Sequence, residues 1–140
     1  MAHNEQIFTP QYIVEDILDR VGYYIIGNNT SNIRKKHIID NSCGNGAFLK
    51  VIVERYIDAC KRDKLSTEET IKEIETYIHG IEIDHDLRVS TFVNLQRICD
   101  NKGIESYFQI NFDVTCQDAM TCDYYDGQMD YVVGNPPYCR

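Results

Sequence analysis

His37-Ile38-Ile39-Asp40-Asn41-Ser42-Cys43-Gly44-Asn45-Gly46-Ala47-Phe48-Leu49 is the segment on which the fold turns. It begins as a β-rich run, closes on a carboxylate, passes through two glycines with small neighbours and enters an apolar helical pattern. Glycines placed there let the backbone turn sharply and come close to a ligand. The spacing is not that of the dinucleotide fingerprint: Phe48 or Leu49 stands where a third glycine belongs, and Asp40 precedes the loop. No Gly-Lys-Ser/Thr follows, so a phosphate loop is not indicated either. An acidic residue ahead of the glycines suits a cationic or amine-bearing ligand better than a pyrophosphate. S-adenosylmethionine, with its α-amino group and sulfonium, meets that requirement.

Outward from this segment, strands and helices alternate. Thr9 as N-cap and Pro10 at the first helical position open a helix whose apolar face carries Ile13, Ile17, Leu18 and Val21, up to Gly22. A polar connection over 28–36 leads to the first strand, about Lys36–Asn41. The helix behind the glycine loop, about Gly46–Lys61, buries Phe48, Leu49, Ile52, Val53 and Tyr56. Ser66-Thr67-Glu68-Glu69 has capping-box spacing and starts a short helix through about Thr76. The second strand is Tyr77–Ile83. A helix over about Leu87–Lys102 follows, closed by Gly103 as C′. Alternation marks Phe108–Val114 as the third strand and Met129–Gly134 as the fourth. Asp84-His85-Asp86 looks locally like a metal cluster, but it stands where a helix begins and reads as capping and dipole compensation. The alternation implies an α/β fold with a parallel sheet and right-handed crossovers.

At the other end, Asn135-Pro136-Pro137-Tyr138 follows the last strand. The two prolines fix φ at about −65° and remove two backbone donors, which makes a stiff turn. Its carbonyls stay outside any ladder, at the crevice where α/β sheets bind ligands. The Asn135 amide, the Pro136 carbonyl and the Tyr138 ring suit a flat heterocycle carrying an exocyclic amine. The amine donates to the Asn135 oxygen and the Pro136 carbonyl, while Tyr138 stacks on the ring. Two such acceptors draw the amine lone pair out of conjugation and make it nucleophilic without a strong base. Taken alone, the tetrapeptide is equally compatible with a tight surface turn.

Taken together, these segments resemble the motifs of the amino-group methyltransferases that use S-adenosylmethionine. More narrowly, they resemble the gamma-class N6-adenine DNA methyltransferases of restriction–modification systems. Phe8-Thr9-Pro10 and its helix resemble motif X, which in this class precedes the glycine loop. Asp40 to Leu49 resembles motif I, and Gly80-Ile81-Glu82-Ile83-Asp84 resembles motif II. Gln117-Asp118-Ala119-Met120 is similar to motif III, and Val133 to Tyr138 is similar to motif IV. The order is the family's, and the segments run through almost the whole chain.

The resemblance implies a Rossmann-like class I methyltransferase half-fold, strand order 3-2-1-4, truncated after the fourth strand. Residues 1–140 would be its S-adenosylmethionine-binding part, with the target-recognition region absent. It implies that Glu82 accepts both ribose hydroxyls of the cofactor and that Ile83 packs on the adenine. Asp118 would accept from the adenine amine, with Ala119 or Met120 offering a backbone donor. Asp40 and the Cys43, Gly44 and Gly46 loop would hold the methionine moiety, with Phe8 and Thr9 closing over it. Asn135, Pro136 and Tyr138 would be catalytic, Asn135 also lying beside the cofactor, in an in-line methyl transfer to N6 of an adenine flipped out of its duplex. Implied partners are double-stranded DNA, held through a region beyond this chain, and a restriction endonuclease, fused or separate. One rival is a protein-glutamine N5-methyltransferase, which shares the Asn-Pro-Pro-Tyr logic but is less suited by Phe8-Thr9-Pro10. Another is a cofactor-binding fragment that never turns over.

Composition bounds these expectations. The 140 residues fit one domain with a usable core. Fourteen basic against twenty-two acidic residues give a net charge of −8, which argues against this segment gripping a phosphate backbone. Arg34, Lys35 and Lys36 gather in a polar loop and read as solvated. The six cysteines show no CxxC pairing and read as buried reduced thiols, as in a cytoplasmic protein. The N-terminus lacks the pattern of a signal peptide, and no apolar run is long enough to span a membrane. His3, His37, His79 and His85 show no ligand spacing, so no metal is expected. Cys43, although inside the loop, receives no catalytic role, since transfer runs directly from sulfur to nitrogen.

Overall fold

Ile38, Ile39 and Asp40 form β1 (Ile38–Asp40), buried at every position and placed in the interior of a four-stranded sheet. The structure, a computed structural model, describes residues 9–26, 32–41, 43–104, 109–116 and 127–134. In chain order the other elements are α1 (Gln11–Val21), α2 (Ala47–Arg62), α3 (Thr67–Tyr77), β2 (Ile78–Ile81), α4 (His85–Asn101), β3 (Asp113–Thr115) and β4 (Tyr131–Val133). The sheet order is β3-β2-β1-β4 and every pairing is parallel, as the sequence predicts. Ile38 stands opposite both Ile78 and Tyr131, so β1 is flanked on its two sides by β2 and β4.

One face of the sheet shares a continuous core with all four helices. Val14 and Leu18 of α1 enter it, with Leu49, Ile52, Val53 and Tyr56 of α2, Ile71 and Ile74 of α3, and Leu95 and Cys99 of α4. They meet Ile38, Ile78, Val114 and Val133 from the four strands. The period-2 alternation of each strand sends Ile39 and Ile81 to the other face, where they pack with Met129 as a small separate cluster. No helix among the described residues is long and apolar enough to cross a membrane.

Several boundaries differ from expectation, each for a local reason. Pro10, not Thr9, occupies the capping position of α1: its backbone is extended, and its carbonyl accepts the N–H groups of Ile13 and Val14. The buried stripe of α1 runs through Val14 and Leu18 with Ile17 partly covered, while Ile13 and Val21 face outward. In the third strand the apolar alternation is real, since Ile110, Phe112 and Val114 are buried, but the hydrogen-bonded ladder covers only Asp113–Thr115. Phe108, where that strand was expected to begin, lies outside the described residues. The capping box at Ser66 and Glu69 is formed in both directions. Asp84 caps α4 by accepting from the Leu87 N–H. Gly103 takes a left-handed φ of 86° past the end of α4, and the Ile104 N–H reaches back to the Cys99 carbonyl.

Arg34 corrects the reading of a solvated basic loop. Its guanidinium grips both carboxylate oxygens of Glu73, with Nε to Oε1 at 3.0 Å, and reaches Asp63 at 3.2 Å. The Tyr56 hydroxyl donates to the same Glu73 oxygen at 2.8 Å and accepts the Lys35 N–H. Burial works to raise the Glu73 carboxyl, but the hydrogen bonds from Arg34 and Tyr56 outweigh it, so it sits below its ordinary 4.5. A carboxyl lowered on folding stabilises fully above its unfolded pKa, and that stability is lost as pH falls through the folded value. We therefore expect Arg34→Ala to cost about 2–3 kcal/mol at pH 7, because it leaves a mostly buried carboxylate without its bidentate partner. Urea unfolding at pH 7 and at pH 3.5 measures this. The penalty should shrink at the lower pH, and an equal penalty at both would mean that Arg34 acts through packing alone.

The thiols follow burial. Cys60 and Cys99 are pushed up to about 12, chiefly by burial. Cys116, by contrast, is exposed and departs from the expected pattern, while Cys122 and Cys139 lie outside the described residues.

Candidate functional site

The carboxyl ends of β1, β2 and β4 converge on the glycine loop. Past β1, the Asn41 N–H donates to the Val133 carbonyl of β4, and the Cys43 N–H donates to the Ile81 carbonyl of β2. Past β2, the Glu82 N–H donates to Thr115 of β3. Residues 41, 43 and 82 are thus held by hydrogen bonds to neighbouring strands rather than hanging as free loops. Gly46 then takes φ 95° and starts α2 without a side-chain cap.

Two carboxylates stand beneath this loop. Asp40 is fully buried and Glu82 is 5% exposed. The two Glu82 oxygens divide their work: Oε1 accepts the Gly44 N–H at 2.7 Å and Oε2 accepts the Asp84 N–H at 2.9 Å. One side chain thereby fixes the loop after β1 and the approach to α4. Gly134, with φ 129°, lets the end of β4 lie against Asp40: a Cβ there would sit 2.5 Å from Asp40 Oδ1 and 3.0 Å from Asn41 Oδ1. Any side chain at 134 would push the strand off the carboxylate. Ile83, just past Glu82, leaves 64% of its surface exposed beside these groups.

Cys43 points into the core instead of toward solvent. It is 4% exposed, and its sulfur lies 4.0 Å from the Thr91 hydroxyl. Burial first, then the Asp40 and Glu82 carboxylates, raise its thiol far above the range in which a thiolate forms. Burial and these two carboxylates thereby disfavour the thiolate form at this sulfur.

The sequence reading missed two residues on α4. The Thr91 hydroxyl, fully buried, donates to the Gly44 carbonyl at 2.7 Å, the nearer of two acceptors, with the Leu87 carbonyl of its own helix at 3.0 Å, and the Asn94 amide donates to the Asn45 carbonyl at 2.9 Å. A signal existed: Thr91 occupies the core-facing position one turn before Leu95, where an aliphatic residue would otherwise stand. A second unforeseen juxtaposition lies on the opposite sheet face. His37 Nδ1 and His79 Nε2 are 2.9 Å apart, and His79 Nδ1 is 2.6 Å from Asp113. Sequence spacing showed no relation between these histidines.

Of the expected site residues, the structure brings together Asp40, Cys43, Gly44, Gly46, Glu82 and Ile83. Thr9 is described, and its side chain does not cap α1. Phe8, Asp118, Ala119, Asn135, Pro136 and Tyr138 lie outside the described residues.

The acidic floor and glycine roof fit a ligand with a cationic or amine-bearing end, and the exposed Ile83 fits a flat apolar ring beside it. Over 142 residues the chain is 30% identical to the type II methyltransferase M.BstVI of Geobacillus stearothermophilus, covering 96% of this chain and 24% of that protein. It is 29% identical over 140 residues to the type II methyltransferase M.PaeR7I of Pseudomonas aeruginosa, covering 96% of this chain and 23% of that protein. The chain thus spans about a quarter of the length of the curated relatives it matches. Its fold matches a nuclease-deletion mutant of the Type ISP restriction-modification enzyme LlaGI, solved with a DNA substrate mimic, at a TM-score of 0.64. That match has 18% identity and covers 95% of this chain and 13% of that one. The family model for N-6 DNA methylase matches residues 2–140, and the chain belongs to that family.

Proposed function

We propose that the chain is the S-adenosylmethionine-binding half of a site-specific DNA methyltransferase that modifies adenine N6 in a restriction–modification system. The observation that carries this is the pair of buried carboxylates, Asp40 and Glu82, at the ends of neighbouring strands around the glycine loop. In this reading Asp40 and the loop backbone hold the methionine end, Cys43 contributing through its main chain. Glu82 takes the ribose, Ile83 packs on the adenine, Asp118 accepts from its amine, and Ala119 or Met120 offers a backbone donor to the ring. Phe8 and Thr9 close over the sulfonium side. A carboxylate offers about four acceptor sites, so Glu82 retains two for the ribose hydroxyls while binding Gly44 and Asp84. S-adenosylmethionine supplies the methyl group when bound. Asn135 and Pro136 orient the target amine, and Tyr138 stacks the flipped base. DNA is the partner, with a fused or separate nuclease completing the system, and the cytoplasm is where such a substrate would be met. Membership of a DNA methylase family weighs against the protein-glutamine rival.

Calorimetric titration and radiolabelled methyl transfer test the reading together. The 140-residue chain should bind S-adenosylhomocysteine and leave adenosine diphosphate unbound. It should transfer no methyl group to duplex DNA lacking adenine methylation, because with a net charge of −8 it has little means of holding a duplex. Binding of the diphosphate in place of the homocysteine derivative would overturn the assignment.

A further inference from the structure

Three consecutive peptide planes make the glycine loop, and each is held differently. The Cys43–Gly44 plane is held through the Gly44 N–H on Glu82 and the Cys43 carbonyl, which accepts the Gly46 N–H at 2.8 Å. The Asn45–Gly46 plane is held through that same Gly46 N–H and through the Asn94 amide on the Asn45 carbonyl. The middle plane, Gly44–Asn45, is held by the Thr91 hydroxyl on the Gly44 carbonyl. A second constraint comes from the Thr91 methyl, which would stand 3.3 Å from any Cβ at position 46. No cis peptide bond is present among the described residues, so a Gly44 carbonyl turned onto α4 directs the Asn45 N–H to the opposite side.

We propose that Thr91 and Asn94 are positioning residues for the ligand loop, acting from α4 through the Gly44 and Asn45 carbonyls. They keep the Asn45 N–H turned away from the helix as a donor for the carboxylate of an amino-acid-bearing ligand. This rests on the reading of the site as a cofactor pocket, but the loop's own order does not. Glu82 fixes one flank of the loop and Asn94 the other. Loss of the Thr91 hydroxyl would free the middle plane to turn about a glycine, the residue least able to resist such rotation.

The test uses the 140-residue chain with Thr91→Val, which keeps the shape and loses the hydroxyl, and Thr91→Ser, which keeps the hydroxyl and loses the methyl. Two readouts are taken: amide hydrogen exchange at Gly44, Asn45 and Gly46 without ligand, and calorimetric affinity for S-adenosylhomocysteine. Thr91→Val should speed exchange at these amides and weaken binding about three- to ten-fold, the size of one lost hydrogen bond. Thr91→Ser should restore both toward wild type. Unchanged loop exchange in Thr91→Val, or equal losses in Val and Ser, would overturn the positioning role and leave Thr91 as packing. A wild-type chain that takes up no S-adenosylhomocysteine would instead remove the cofactor reading, with the positioning role then decided by the exchange data.

Discussion

Asn135→Ala, in an active methyltransferase containing this chain, should lower single-turnover methylation by about 10²–10³-fold and leave affinity for S-adenosylhomocysteine within a factor of a few. The cofactor reading places its contacts at the ends of β1, β2 and β3. In that reading Asn135, next after the Gly134 that lies against Asp40, turns its side-chain oxygen to the target amine. Removing this acceptor leaves the amine lone pair conjugated with the ring and poorly aimed at the methyl group. Tyr138→Ala offers the contrast: it should weaken capture of the flipped base by roughly 1–3 kcal/mol of stacking while sparing the rate once the base is bound. Single-turnover assays at saturating cofactor, with DNA varied, separate the two. A near-normal rate for Asn135→Ala would reduce the tetrapeptide to a turn.

Glu82→Ala should be nearly as severe, at a different step. Each charge-assisted hydrogen bond contributes about 1.5–3 kcal/mol, so losing the ribose contacts should weaken S-adenosylhomocysteine binding by at least about ten-fold. The structure adds a second loss. With the carboxylate gone, the Gly44 and Asp84 N–H groups lose their common acceptor at a site only 5% exposed. The melting temperature should fall along with the affinity. Glu82→Gln should lie between, because its single amide oxygen can serve one of the two N–H groups while its NH2 faces the other. Equal cofactor affinity for wild type and Glu82→Ala, measured by calorimetry below both melting points, would take Glu82 out of the ribose site and leave it a loop clamp.

What could be read in advance divides along a physical line. Ser66, Asp84 and Gly103 act on backbone groups a few residues away, so their caps are visible in a short stretch of sequence. The sheet order was legible because the glycine loop and the motifs around it resemble a family with known connectivity. Arg34 was not legible, since its partner Glu73 is 39 residues away and a basic triplet ordinarily faces water. Thr91 and Asn94 act across 47 and 49 residues, and although a threonine at a core-facing position marks a buried hydroxyl, it does not tell that the hydroxyl reaches Gly44 as well as the Leu87 carbonyl of its own helix. The third strand shows a further limit. Alternation reports which side chains are covered, and Ile110 and Phe112 are covered without joining the ladder. In α1 the apolar pattern offered two adjacent stripes, and the core took the one through Val14 and Leu18 rather than the one through Ile13 and Val21.

The central place of β1 also sets an order of assembly. Its contact with β2 spans 42 residues, as between His37 and His79, whereas its contact with β4 spans 93, as between His37 and Asp130. Closing the longer loop costs about 0.7 kcal/mol more in chain entropy, a modest difference at equilibrium. On the ribosome the difference is larger in its effect. At ~5–20 residues per second, β4 follows β2 by roughly 3–10 s, long compared with the formation of individual helices. The strand that ends on Asp40 and the strand that leads to Glu82 therefore have seconds in which to pair before the strand leading to Asn135 has been made. A nascent chain halted in that interval would hold the acidic residues at the ends of β1 and β2 without the segment that follows β4.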